Sequence, residues 1–358
     1  MKILKTGIIG CGDIALSKYL PAIKENGKIE VLAFCDVIKE SAIKASKEFE
    51  VADAKIFTDY QELLKEDLDA VYVLTPNSSH APISIAAMRA GKHVMCEKPM
   101  AKTYAEAKEM VEVAKETGKL LNIAYQNRYR SDSTYLKRAC ENGELGEIYY
   151  GKAHAVRRRA VPTWGVFLDE DAQGGGPLID IGTHALDLTL WMMDNYEPEM
   201  VLGSVYRKLA DQKETGNAWG DWDNKEFTVE DSAFAFIKMK NGATINLEAS
   251  WALNTLDVKE ARTTLCGTKA GADMEKGLRI NKARFGKLTV ETPQLSGEGV
   301  DFFFEGLEVK EGVVEQEAFY QAVANGEPLV VKPEQALVVT QILEAIYESA
   351  KTGKAVYF

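Results

Sequence analysis

A chain of 358 residues exceeds the size at which one hydrophobic core keeps growing, so two domains are expected. Its 46% hydrophobic and 27% charged residues are the proportions of a globular protein, not of a disordered or membrane one. A formal net charge of -11 argues against nucleic acid as a partner, and no run of 18 or more apolar residues is available to cross a bilayer.

The opening Met1-Lys2-Ile3-Leu4-Lys5 resembles the charged start of a leader, but Gly7, Gly10, Gly12 and Asp13 interrupt the apolar run, so it reads as a first strand. From residue 5 to about 125, apolar runs at 5–10, 30–36, 70–75, 93–96 and 119–125 alternate with amphipathic stretches at 13–26, 38–49, 80–90 and 103–117. That alternation makes a doubly wound parallel sheet. Thr103 and Glu106 form a capping box, Gly118 stops the helix they begin, and Pro21 must break or kink the first helix.

After about 126 the rhythm changes to strand-like stretches at 147–157, 199–207, 231–239 and 243–251, with Asn241-Gly242 as a hairpin turn. A mostly antiparallel open sheet follows, with helix-like segments at 131–142, 177–193, 313–325 and 334–351 expected to cover one face. The predicted architecture is an α/β domain over 1–125 and an α+β domain over 126–358, whose last helix is able to pack back toward the first domain. The polar stretch 211–228, with Trp219 and Trp222, reads as a lid, an oligomer contact or a plain surface excursion. In the basic run Arg157-Arg158-Arg159, two side chains are expected to be solvated and one to meet a ligand.

The five cysteines are widely spaced, odd in number and mostly set in apolar runs, which predicts reduced thiols in a cytoplasmic protein. No CxxC pair or Cys/His cluster suggests a metal.

Gly10-Cys11-Gly12-Asp13-Ile14-Ala15 follows the first strand and opens a helix, the context in which GxGxxA binds a dinucleotide. Gly10 permits the tight turn, Gly12 the approach of the pyrophosphate and Ala15 close helix packing. Gly10, Gly12, Asp13 and Ile14 are therefore assigned to the cofactor. Asp36, at the end of the next strand, is placed to meet the ribose hydroxyls; alternatively it caps the helix at 38. An acid there, with Val37 and Ile38 following and no arginine, favours NAD over NADP. Thr75-Pro76-Asn77-Ser78-Ser79-His80 brings polar groups to the same sheet edge, so Thr75, Pro76, Asn77 and His80 join the cofactor set, against the plainer reading of Asn77 to Ser79 as a cap.

Oxidising a carbinol needs a hydride acceptor, a base and positive charge near the oxygen. Glu97-Lys98-Pro99 follows the strand 93–96, placing Glu97 and Lys98 at the cofactor edge, where proline makes an inward-turning cis peptide accessible. A lysine at a strand end also reads as a solvated charge. Further on, Gly174-Gly175-Gly176-Pro177 opens a helix bearing Asp180 and His184, four residues apart and so on one face. They suit substrate binding and proton transfer; the alternatives are a structural histidine paired with Asp180 or Asp187, or a metal pair lacking further ligands.

GIIGCGDIA at 7–15, TPNSSH at 75–80, EKP at 97–99, GGGPLIDIGTH at 174–184 and EDSAFAFIKMKNGATINLEASW at 230–251 together resemble the Gfo/Idh/MocA family of glucose-fructose oxidoreductases and inositol dehydrogenases, over nearly the whole chain. The resemblance implies a Rossmann domain, then an α+β domain whose open sheet mediates homodimers or homotetramers. It implies Lys98 near the reacting oxygen, Asp180 as substrate ligand and His184 as general acid or base. It also brings Gln126 to the cofactor and Tyr125, Arg128, Arg157 and Trp164 to the substrate.

The expected function is NAD-dependent hydride transfer at a ring carbinol of a sugar, glycoside or cyclitol, with Lys98 and His184 from separate domains flanking the nicotinamide. Two alternatives stand beside it: glycoside cleavage through transient oxidation, and a non-catalytic dinucleotide or sugar sensor. The sequence does not name the substrate.

Overall fold

The computed structural model describes residues 3–51, 53–295 and 310–358. The chain divides into two compact units, Met1–Tyr129 with Val309–Leu337, and Arg130–Glu308 with Val338–Phe358.

In the first unit, strands β1 (Leu4–Ile9), β2 (Ile29–Cys35), β3 (Lys55–Phe57), β4 (Ala70–Val73), β5 (His93–Cys96) and β6 (Leu121–Ile123) pair in parallel in the order β3-β2-β1-β4-β5-β6. Ile8, Phe34, Tyr72 and Met95 are fully buried, because helices cover both faces of a parallel sheet. The chain winds outward in opposite directions from β1 and β4, which opens a crevice at their carboxyl ends. Strand β3 was not expected; three residues at a sheet edge are too few to show a period.

Helix Tyr104–Thr117 begins with the expected capping box: Glu106 N–H donates to Thr103 Oγ1 at 3.2 Å and Thr103 N–H to Glu106 Oε2 at 3.1 Å. The first helix changes pitch at the expected proline. Pro21 has no N–H to offer the turn before it, and that turn is opened to a π-helix over Ala15–Tyr19 before α geometry resumes over Leu20–Asn26.

One assignment requires correction. Helix Glu311–Asn325, expected to cover the second sheet, belongs to the first unit, and the boundary at 126 lies a few residues early. Phe319 and Tyr320 are buried in the same core as Tyr19 and Tyr72, and Tyr72 Oη donates to Gln316 Oε1 at 2.7 Å. An apolar stripe dictates that a helix buries one face, but not which sheet receives it. Helix Pro333–Thr352 starts in the first unit and ends in the second.

The second unit holds β7 (Ile148–Val156), β8 (Pro198–Tyr206), β9 (Ser232–Met239), β10 (Thr244–Ser250), β11 (Lys259–Gly267), β12 (Ala270–Asp273), β13 (Arg279–Arg284), β14 (Lys287–Glu291) and β15 (Val356–Tyr357). They pair in the order β14-β13-β12-β11-β7-β10-β9-β8-β15, antiparallel except for β7 with β10. Alternation is clear on β9, where Ala233, Ala235, Ile237 and Met239 point inward and Phe236 outward. The β9–β10 turn closes with Met239 N–H on Ala243 O at 2.8 Å. Helices Ser131–Glu141 and Thr183–Met193 cover the inner face, burying Leu136, Leu188 and Met192 against Leu265 and Ile280.

The stretch 211–228 is tied to the chain around 160. Asn217 Nδ2 donates to Val161 O at 2.9 Å and Thr163 Oγ1 to Trp219 O at 2.7 Å, while Trp222 is buried with its Nε1 donating to Ala210 O at 2.8 Å. Among the described residues no helix is long and apolar enough to cross a membrane.

Candidate active site

In the first unit the glycine loop takes the form its residues call for. Gly10 has φ 94°, and a Cβ there would lie 2.4 Å from Leu74 O, so only glycine fits between β1 and β4. Gly12, Asp13 and Ile14 are exposed, and a Cβ on Gly12 would meet nothing within 4 Å. Asp36 at the end of β2 accepts from Cys11 N–H and from Ile38 N–H, both at 2.8 Å. Its carboxylate thus fixes the loop as well as the turn toward helix Lys39–Glu48, whose first turn has no side-chain cap.

At the end of β4, His80 ties two backbone segments together: Nε2 lies 2.8 Å from Thr75 O and Nδ1 2.7 Å from Pro99 O. The ring is buried with a carbonyl oxygen against each nitrogen; in its neutral form one nitrogen donates to its carbonyl, and the ring sits between the Thr75 and Pro99 turns. Burial holds its pKa below the ordinary 6.5, against the pull of the two carbonyls toward the charged ring. Thr75 Oγ1 is buried without a hydrogen-bond partner, and Pro76 and Asn77 follow it on the same turn.

Glu97, Lys98 and Pro99 follow β5, with a cis peptide between Lys98 and Pro99. Glu97 is buried in a network that the sequence did not disclose. Its Oε1 accepts from Lys18 Nζ at 3.1 Å and Tyr19 Oη at 2.8 Å, and its Oε2 accepts from Lys98 N–H at 2.9 Å. Lys18 also pairs with fully buried Glu315 at 3.4 Å. Burial alone pushes the Glu97 pKa up, but the Lys18 and Lys98 ammonium groups and the Tyr19 hydroxyl hold it down at about 2. Glu315 is raised, chiefly by burial, so the ammonium of Lys18 is shared unequally between the two acids. Through Glu97, this cluster anchors the backbone of Lys98, whose side chain is partly exposed.

Tyr125 and Arg128 are buried. Arg128 is 0% exposed and donates from one guanidinium nitrogen to Val330 O at 2.9 Å and Gln335 Oε1 at 2.7 Å; Tyr125 is 1% exposed. A guanidinium taken out of water needs acceptors, and here it finds them in the 330–335 segment. Gln126 beside them is partly exposed.

In the second unit the glycine loop leads into a π-turn, Leu178–Gly182, and then helix Thr183–Met193. Pro177 sits at the start, and Asp180 and His184 lie about one turn apart, both partly exposed. Glu230, absent from the predicted site, organises this entry. Its carboxylate accepts from Gly176 N–H at 2.8 Å, Leu178 N–H at 3.0 Å and Tyr347 Oη at 3.0 Å. The approach is close enough that a Cβ on Gly176 would lie 2.3 Å from Glu230 O. Burial raises the Glu230 pKa to about 7 against those donors. The signal available in the sequence was an acid directly ahead of an apolar strand.

Asp180 Oδ2 accepts from the indole N–H of buried Trp251 at 2.9 Å. Arg157 donates from Nε to Glu260 at 2.6 Å; Glu260 and Asp180 both favour its charged form against the cost of burial. Arg158 is exposed, while Arg159 donates to Thr215 O at 3.1 Å and to Asn254 at 2.6 Å. Trp164 is 44% exposed. Among the described residues no group of three or more His, Cys, Asp or Glu side chains is gathered for a metal ion.

The first unit fits a dinucleotide: an open face at Gly12, a carboxylate at the end of β2 and an unsatisfied hydroxyl at Thr75 all line the carboxyl edge of the sheet. A family model described as "Oxidoreductase family, NAD-binding Rossmann fold" matches residues 4–125, and its companion, "Oxidoreductase family, C-terminal alpha/beta domain", matches 137–358. The chain belongs to the Gfo/Idh/MocA oxidoreductase family. As a member it is an NAD-binding oxidoreductase.

Among Gfo/Idh/MocA relatives, the D-glucoside 3-dehydrogenase of Escherichia coli is 33% identical over 354 residues, covering 99% of this chain and 97% of that one. An oxidoreductase domain protein from Kribbella flavida superposes with a TM-score of 0.86 at 23% identity, over 100% of this chain and 99% of that one. A levoglucosan dehydrogenase, solved with NADH and levoglucosan, gives 0.83 at 21% identity over 99% of each chain. These two share its fold.

Proposed function

We propose that this Gfo/Idh/MocA member oxidises a ring hydroxyl of a sugar, with glycosides as the favoured class and NAD as the acceptor. The observation that carries the reading is the Asp180 carboxylate, fixed by Trp251 and set one helical turn from His184: an acceptor for a sugar hydroxyl beside an imidazole able to exchange a proton. The glycoside preference draws support from the named activity of the Escherichia coli relative.

In this reading Gly10, Gly12, Asp13, Ile14, Asp36, Thr75, Pro76, Asn77 and Gln126 hold NAD, which when bound supplies the hydride acceptor. Asp180 binds a hydroxyl of the substrate, which Arg157 and Trp164 also contact. The Lys98 ammonium stabilises negative charge on the reacting oxygen, and the His184 imidazole takes that oxygen's proton. Glu97 serves as the support of Lys98 rather than as a cofactor ligand. Exposed Leu202, Tyr206 and Phe236 on the outer sheet face support self-association there, and five free cysteines suit the cytoplasm.

A panel of polyols, aldoses and glycosides, assayed with NAD while following the reduced cofactor, tests the reading. Lys98→Ala and His184→Asn should each lower kcat by about a thousandfold while NADH still binds. Glycoside cleavage without net NADH release would replace this reading with transient oxidation.

A further inference from the structure

The second unit carries an exposed aromatic pair in which Trp164, assigned above to the substrate, meets Trp219, which has no role in the assignments above. Trp219 and Trp164 are each 44% exposed, and their rings meet edge to face with centroids 5.0 Å apart. Trp219 comes from the 211–228 stretch and is held from several sides. Its carbonyl accepts from Thr163 Oγ1, and the Arg157 guanidinium lies 5.2 Å from its ring centre. The neighbouring Asn217 side chain bonds both the N–H and the C=O of Val161. A large apolar surface fixed in this way loses little conformational freedom when it is covered, which is the property of a binding anchor.

The pair is also continuous with the candidate substrate site. Trp164 contacts Phe167 with centroids 5.9 Å apart, Phe167 contacts Trp251 at 6.4 Å, and Trp251 donates to Asp180. A run of rings therefore leads from the carboxylate assigned to the sugar out to the two exposed indoles. Two indoles bordered by Arg157 and Asn217 are four residues, against the roughly 20–30 that each partner contributes to a stable protein interface. Their exposed faces suit one ring.

We propose that Trp219 and Trp164 form a subsite for the aglycone of a glycoside, either an aromatic group or a second pyranose, whose apolar face stacks on the indoles while its polar rim meets Arg157. The inference rests on the glycoside reading above and specifies which part of the substrate lies beyond the oxidised ring. It also gives the 211–228 stretch a role as a fixed wall rather than a lid.

The test compares methyl and phenyl D-glucopyranosides, in both anomers, as substrates of the unaltered protein and of Trp219→Ala and Trp219→Phe. In the preferred anomer, the ratio of kcat/KM for phenyl over methyl should fall about tenfold in Trp219→Ala, mainly through KM, and be largely restored in Trp219→Phe. An unchanged ratio in Trp219→Ala overturns the subsite. So does the same unchanged ratio accompanied by dissociation of an oligomer in sedimentation, which would assign the patch to a second copy of the chain. If the unaltered protein turns over none of the four glycosides with NAD, the glycoside reading itself fails and the subsite with it.

Discussion

Trp251 donates its indole N–H to Asp180 at 2.9 Å from a fully buried position at the end of β10, so a core residue fixes the orientation of a partly exposed carboxylate. Trp251→Phe removes that donor and keeps an aromatic ring. The KM for the sugar should rise about tenfold while NADH affinity holds, because a hydrogen bond to a charged acceptor is lost only in the second unit. Steady-state kinetics beside a fluorescence titration of NADH separates the two, and an unaltered KM would remove Trp251 from substrate positioning.

Asp36 bonds the loop at Cys11 as well as the turn at Ile38, so its loss should loosen the cradle and remove the ribose acceptor together. Asp36→Ala is expected to weaken NADH binding at least tenfold and NADPH binding less, since the repulsion of a 2'-phosphate disappears at the same time. Equal losses for both nucleotides would contradict the ribose assignment.

Glu230 makes stability depend on pH. Its pKa rises from an ordinary 4.5 in the unfolded chain to about 7 in the folded one, so between those values the folded state holds a proton that the unfolded state has lost. This contribution is fully present below pH 4.5 and is lost as pH rises through 7, on the order of 3 kcal/mol. Thermal unfolding followed from pH 5 to 8 should show a steeper decline for the unaltered protein than for Glu230→Gln. Parallel curves would assign the slope elsewhere.

Lys18 is the cation that keeps Glu97 ionised, with the opposite sign: a depressed pKa of about 2 gives stability that is present above pH 4.5 and lost as pH falls toward 2. Lys18→Met leaves a buried carboxylate without its nearest ammonium, which should cost about 3–5 kcal/mol and lower Tm by about 10 °C at neutral pH. Calorimetry reads this directly; a shift under 2 °C, a small fraction of the loss expected for a broken buried pair, would show that Tyr19 and the Lys98 backbone suffice.

Sequence alone determined the elements whose signal is local. The glycine loop, the alternating strands and helices, the capping box at Thr103, the pitch change ahead of Pro21 and the one-sided strand β9 follow from backbone sterics, hydrogen-bond satisfaction and hydrophobic period, which neighbouring residues specify among themselves. The family motifs placed Lys98, Asp180 and His184 on the elements that carry them. Tertiary structure alone decided the remainder: that helix Glu311–Asn325 covers the first sheet, that Arg128 serves the 330–335 segment, that His80 lies between two carbonyls, that Lys18 and Glu315 cluster with Glu97 in the first unit, and that Glu230 and Trp251 hold the glycine loop and Asp180 in the second. Those roles depend on which buried charges and donors meet across tens to hundreds of residues, and desolvation makes such meetings obligatory without any local pattern announcing the partner.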